Sequence, residues 1–199
     1  MITPNISELK IQEMVLPKMG NFSKQQLFDV GLILCENFCK LNNIPLPKRV
    51  IIDNTIKHNG TYYYGAELIK INLKKNRTPT RTPGFAWSYP GYKSDMTPIG
   101  VLAHEFGHHI HNKFFNGNSY LPPGRVSGYE PNVSEAYAES FKLFIINPDL
   151  LKNISKHRYD YFIESGLKPI IKQKWDDVLS DAHPKFIEIT NNIINNTKN

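Results

Sequence analysis

The segment GVLAHEFGHHIHNKFF, residues 100–115, constrains this chain more than any other stretch, because it holds four of the seven histidines. His104 and His108 stand four apart. On a helix that spacing stacks them on one face, with imidazoles able to converge on a single ion. Glu105 lies about 100° further round the axis, close to such an ion but not obliged to bind it. This is the HExxH arrangement, in which two neutral histidines hold zinc and a glutamate accepts a proton from the attacking water.

The surroundings predict that the segment is a helix and that it is embedded. Thr97 followed by Pro98 is an N-cap and first-turn signal, and helical periodicity runs from there to Phe115, before Asn116-Gly117. Ile99, Val101, Leu102, Phe106 and Ile110 supply apolar surface. A glycine inside a helix costs about 1 kcal/mol relative to alanine, so Gly107 implies close approach by another backbone. His111 cannot share an ion with the other two, because the axis advances about 10 Å between residues 104 and 111. His109 stacks with Glu105 and is expected at the surface.

A third ligand must therefore come from elsewhere. A pattern HExxHxxGxxH would need Gly at 111 and His at 114, where the chain has His111 and Phe114; HExxHxxxxH would need His at 113, which is Lys113. The remaining source is the segment NVSEAYAESFKLFIINP, which carries Glu135 and Glu139, again four apart. One carboxylate would bind the ion and the other would grip a ligand histidine by its free N–H. Spacing alone does not say which is which, since Asn132 at an N-cap puts Glu135 at N3, where a carboxylate is favourable in any case.

The rest of the chain narrows the classes. At 199 residues with 40% apolar content the composition is that of a globular protein with a real core. The opening MITPNISELKIQEMV shows neither a basic n-region nor a continuous apolar h-region, and no apolar run reaches the ~20 residues that span a bilayer. The expectation is a cytoplasmic protein with no membrane partner, in a host cytoplasm if phage-encoded. A net charge of +6 permits acidic partners, but the basic residues are dispersed and no nucleic-acid motif stands out, which argues against nucleic acid. Cys35 and Cys39, four apart in LILCENFCK, read as buried reduced thiols rather than half a metal site.

Along the chain, residues 24–41 after Ser23 read as an amphipathic helix, and RVIID (49–53), TYYY (61–64) and LIKINL (68–73) as strands. A Pro-, Gly- and Thr-rich loop, about 76–97, holds Trp87, Tyr89 and Tyr92. Asn132 caps a helix to Ile146, stopped by Asn147-Pro148. LLKNISKHRYDYFIES then reads as one helix ending at Gly166, and the last thirty residues look helical. One helix, a small antiparallel or mixed sheet, then helices is an α+β order.

HEFGHHIH followed, 27 residues after His108, by EAYAESFKLFIINP resembles the ImmA/IrrE-like zinc metallopeptidases of bacteria, phages and mobile elements. Their pattern is HE-x-GH, then E-x-x-A-N-x-F-A-x-x-L-L-x-P. Glu135 falls on the pattern's ligand glutamate, Ala138, Phe141 and Pro148 are in register, and Ile145 and Ile146 take the Leu-Leu positions. Glu139 stands at the usual Asn and Lys142 at a small residue. The resemblance implies a zincin-like fold over one metallopeptidase domain, 1–199. Residues 1–97 would form helix, sheet and loop, 98–148 the zinc-binding helices, and 149–199 a helical C-terminal part. It further implies one zinc ion per chain on His104, His108 and Glu135, which leaves Glu139 as the carboxylate of the pair that stands behind them, and it places LIKINL at the sheet edge that holds extended substrates.

The expected activity is hydrolysis of peptide or protein substrates, with Glu105 as the base. Tyr129, Arg125 and His157 are candidates for a second electrophile. The alternatives are a zinc-stabilised interaction protein without turnover, and a virion or nucleoid component.

Overall fold

The computed structural model describes residues 23–77 and 95–170. The expected helical C-terminus, most of the 76–97 loop with Trp87, Tyr89 and Tyr92, and the opening segment lie outside them. The elements are α1 (Lys24–Leu41), β1 (Arg49–Ile52), β2 (Gly60–Tyr63), β3 (Leu68–Ile71), α2 (Pro98–Phe114), α3 (Val133–Ile146), α4 (Pro148–Ile154) and α5 (Lys156–Glu164). Helices plus one small sheet make the α+β class that the element order predicts.

Local chemistry sets the helix starts. Ser23 opens α1 with a reciprocal capping box: its hydroxyl accepts from the Gln26 N–H at 3.1 Å, and the Gln26 side chain accepts from the Ser23 N–H at 2.8 Å. Thr97 caps α2 with Pro98 in the first turn, and Asn132 caps α3 by accepting from the Glu135 N–H at 3.0 Å. Asn147 ends α3, and its side chain accepts from the Leu150 N–H to begin α4.

LLKNISKHRYDYFIES is not one helix. Ser155, at φ −153° and ψ 76°, breaks it into α4 and α5. The break lets Arg158 run inward, where its guanidinium donates to the carbonyls of Pro122 and Gly124, to Ser140 Oγ and to Glu130. Those tertiary bonds outweigh the helical periodicity of the sequence.

The sheet order is β1-β3-β2, with β1 and β3 parallel and β2 antiparallel to β3. This corrects the expectation for LIKINL. As β3 it is the central strand, with its backbone groups committed to a neighbour on each side, so it offers no edge. β2 is the edge that the sheet turns toward α2. The strand also ends at Ile71, because Asn72 turns its side chain to the carbonyls of Asn54 and Ile56. Ile69 and Ile71 are fully buried, as the alternation predicts.

Helices α1, α2 and α3 enclose the core, which includes Leu34, Phe38, Leu102, Phe106, Phe141 and Phe144. Cys35 and Cys39 are free and buried in it, and burial pushes both thiols up. At Gly107, α2 meets α3 backbone to backbone: a Cβ there would lie 2.7 Å from Cα and 2.9 Å from the carbonyl oxygen of Ala138. No side chain fits that gap, which is why the helix carries a glycine at this position. Among the described residues no helix is long and apolar enough to cross a membrane.

Candidate metal centre

The Gly107 contact presses the face of α2 that bears His104 and His108 against the first turn of α3, which bears Glu135. Glu135 Oε2 lies 3.1 Å from His104 Nε2 and 3.5 Å from His108 Nε2. All three donor atoms fall within 4.8 Å of one another, a cluster able to hold a metal ion. Two donors bonded at 2.0–2.1 Å to one tetrahedral ion stand about 3.3 Å apart, so the two separations from Glu135 suit that geometry. Asn132 caps the helix through the Glu135 N–H alone, leaving the carboxylate free for the histidines.

The far nitrogens of both rings are held as well. His104 Nδ1 donates to Glu139 Oε1 at 2.8 Å. His108 Nδ1 lies 3.1 Å from Ser134 Oγ, which in turn lies 3.0 Å from the Tyr64 hydroxyl. With Nδ1 tied in each ring, Nε2 is the nitrogen presented to Glu135, which is the orientation that metal-binding imidazoles adopt.

The charges follow from this packing. Burial would lower His104, but the hydrogen bonds to Glu135 and Glu139 override it and hold the imidazolium up to about 10. Burial would raise Glu135, yet its contacts with the two histidines keep the carboxyl at about 2. Glu139 is also held well below the usual carboxylate range: Lys142 and His104 outweigh its burial. His108 is pushed down by burial and so is neutral at physiological pH. This negative field holds a proton on His104 and would equally favour a divalent cation in its place.

Glu105 lies beside the cluster, 6% exposed, and borders the same cavity of about 560 Å³ as His104, His108 and Glu135. Burial raises its carboxyl to about 7, against the lowering effect of His104. The backbone N–H of Tyr62 in β2 is on the side of the carboxylate and offsets part of that rise. Space for the carboxylate comes from Gly60, where a Cβ would lie 2.7 Å from Oε1 of Glu105.

Of the three candidates for a second electrophile, the structure brings only Tyr129 to the cavity, its ring 6.1 Å from that of His104. Burial, then the Glu135 charge, raises its phenol, so the hydroxyl keeps its proton. Arg125 instead donates to the carbonyls of Ser127 and Gly128, within its own loop. His157 is exposed on α5, and neither it nor Arg125 borders the cavity.

His109 corrects another expectation. It is fully buried rather than at the surface, because β2 and the turn before β1 cover that side of α2. Its Nε2 donates to the Pro45 carbonyl at 2.6 Å and its Nδ1 accepts from the Tyr62 hydroxyl at 3.1 Å, so both nitrogens are satisfied. His111 is buried too, stacked on Tyr137 at 4.0 Å and donating to the Asn118 carbonyl.

Sequence reasoning missed Gly60, Tyr64, Ser134 and Lys142. The last left a signal: a lysine in the apolar run YAESFKLFII demands a partner, and Glu139 precedes it by one turn. No family model, curated protein or solved structure matches the chain.

Proposed function

We propose that this chain is a zinc-dependent peptidase of the HExxH…E type, with a zincin-like arrangement of sheet and helices. The carrying observation is the convergence of His104 Nε2, His108 Nε2 and Glu135 Oε2 beside the buried carboxylate of Glu105, at one cavity. Three protein donors leave a coordination position for chemistry, whereas zinc that only braces a fold is usually closed by four. Zinc in this cluster would supply Lewis acidity to a water molecule and to the scissile carbonyl.

The residues of the chain do the rest. Glu105 takes a proton from the attacking water and returns it to the departing amine. Burial makes this carboxylate a stronger proton acceptor than an exposed glutamate, and Gly60 leaves the space in which it rests. The Tyr129 hydroxyl, still protonated, donates toward the oxygen on which negative charge develops. An extended peptide would lie along the edge of β2 that no described strand pairs, next to Glu105, where main-chain hydrogen bonds would align the scissile bond.

Glu105→Gln tests the reading. It preserves size and hydrogen-bonding shape but removes the base, so peptide hydrolysis should fall ~100-fold or more while zinc content and Tm stay unchanged. Wild type and variant equally inert on a broad library of extended peptides, both holding zinc, would make the chain a zinc-stabilised binding protein instead.

A further inference from the structure

We propose that Lys142 is a positioning residue of the metal centre: its buried ammonium clamps both oxygens of Glu139 so that one of them fixes His104 Nδ1. The proposal rests on the metal-site reading above and extends it by one residue that touches neither ion nor substrate.

Lys142 lies on α3 with no exposed surface, among Leu143, Phe144, Ile145 and Ile146, all fully buried. Its Nζ donates to Glu139 Oε1 at 3.0 Å and to Oε2 at 2.9 Å. Among the described residues Glu139 is the only carboxylate it pairs with. An aliphatic side chain would fill the same space without the penalty of desolvating an ammonium. It could not hold Glu139.

That carboxylate needs holding. It is 1% exposed, and the charged Glu135 borders the same cavity, so burial and a nearby like charge both work against its ionised form. Oε1 of Glu139 is the shared atom, accepting from Lys142 on one side and from His104 Nδ1 on the other. The lysine therefore fixes the oxygen that fixes the imidazole, and the chain Lys142–Glu139–His104 ends at the Nε2 that faces Glu135. Without it, Glu139 is free to turn from the histidine, and His104 loses the bond that aims it.

A double-mutant cycle of Lys142→Met and Glu139→Gln decides the matter, read as zinc affinity by competition with a chelator and as Tm. Glu139→Gln should weaken zinc by about 10- to 100-fold, the usual effect of losing a partner behind a ligand histidine. Lys142→Met should weaken it by about 10-fold or more. Because the lysine acts through Glu139, the double variant should bind zinc no more weakly than Glu139→Gln alone. It should also recover Tm relative to Lys142→Met, since the pair is then neutral. Equal zinc affinity in Lys142→Met and wild type overturns the proposal. So does a double variant weaker than Glu139→Gln by a further factor of ten, which would mean the lysine contributes packing only. If Lys142→Met does not fold, a double variant ten-fold weaker than Glu139→Gln still overturns the proposal. Wild type that binds no zinc would remove the metal-site reading itself, an outcome distinct from tight binding by both wild type and Lys142→Met.

Discussion

Gly60 faces Glu105 so closely that a Cβ on the glycine would lie 2.7 Å from Oε1 and 2.8 Å from Cγ of the glutamate. The edge strand thus determines where the base can rest, although its residues ligate nothing. Gly60→Ala should push the carboxylate out of its place while leaving His104, His108 and Glu135 undisturbed. We expect peptide hydrolysis to fall by about 10-fold or more, the lower end of what a misplaced base forfeits. Zinc content should stay at wild-type stoichiometry, measured on the same preparation.

The ligand set makes a separate prediction. His104→Ala, His108→Ala and Glu135→Ala should each abolish stoichiometric zinc, because two remaining donors chelate poorly. Elemental analysis after dialysis is the check. Full occupancy in His108→Ala would show that the ion, if bound, is held elsewhere.

Zinc binding should release protons above neutrality, where ordinary histidines would release almost none. Without an ion His104 stays protonated up to about 10, against about 6.5 for an unperturbed imidazole. Metal needs the bare Nε2, so at pH 8 each ion displaces close to one proton from His104, while His108 is already neutral. Titration calorimetry in buffers of different ionisation enthalpy reads this directly. The sign for folding is the converse. A raised histidine stabilises the metal-free protein fully below about 6.5 and loses that contribution as pH rises through about 10.

Arg158 and Glu130 form a buried pair, Nη1 to Oε2 at 2.9 Å, that ties the loop carrying Tyr129 to α5. Glu130 Oε1 also accepts from the backbone of Val126 and Ser127. Arg158→Met should destabilise the fold by about 3–5 kcal/mol, because it strands a buried carboxylate. Arg158→Met with Glu130→Gln should recover part of that loss. Denaturant unfolding of the three proteins measures it.

How much of this the sequence disclosed depends on the range of the interaction. The His104 and His108 pair, the caps at Ser23, Thr97 and Asn132, and the close approach at Gly107 are consequences of spacing within one helix, so local pattern reveals them. Which strand is central is not local. The alternation in LIKINL shows a half-buried strand but carries no information about how many neighbours it pairs with. The same limit hid Gly60, whose reason for being glycine is 45 positions away in sequence, at Glu105. It also hid the burial of His109, since the atoms that satisfy it come from Tyr62 and Pro45. At Ser155 the local signal pointed the wrong way: the pattern favours one helix, and four bonds made by Arg158 to distant groups decide for two.

The contact of Gly107 with Ala138 has a consequence for how faithfully the donor atoms keep their spacing. At Gly107 the helix of the two histidines meets the backbone of the helix of Glu135 directly, with only Phe141 Cβ beside the contact, so no rotatable side chain sets the spacing there. Their separation there is set by van der Waals contact between backbone atoms, a close-packed spacing that yields little. A single methyl at position 107, 2.7 Å from Ala138 Cα, would act as a wedge, spreading the donors by more than the ~0.2 Å that a metal–ligand bond tolerates.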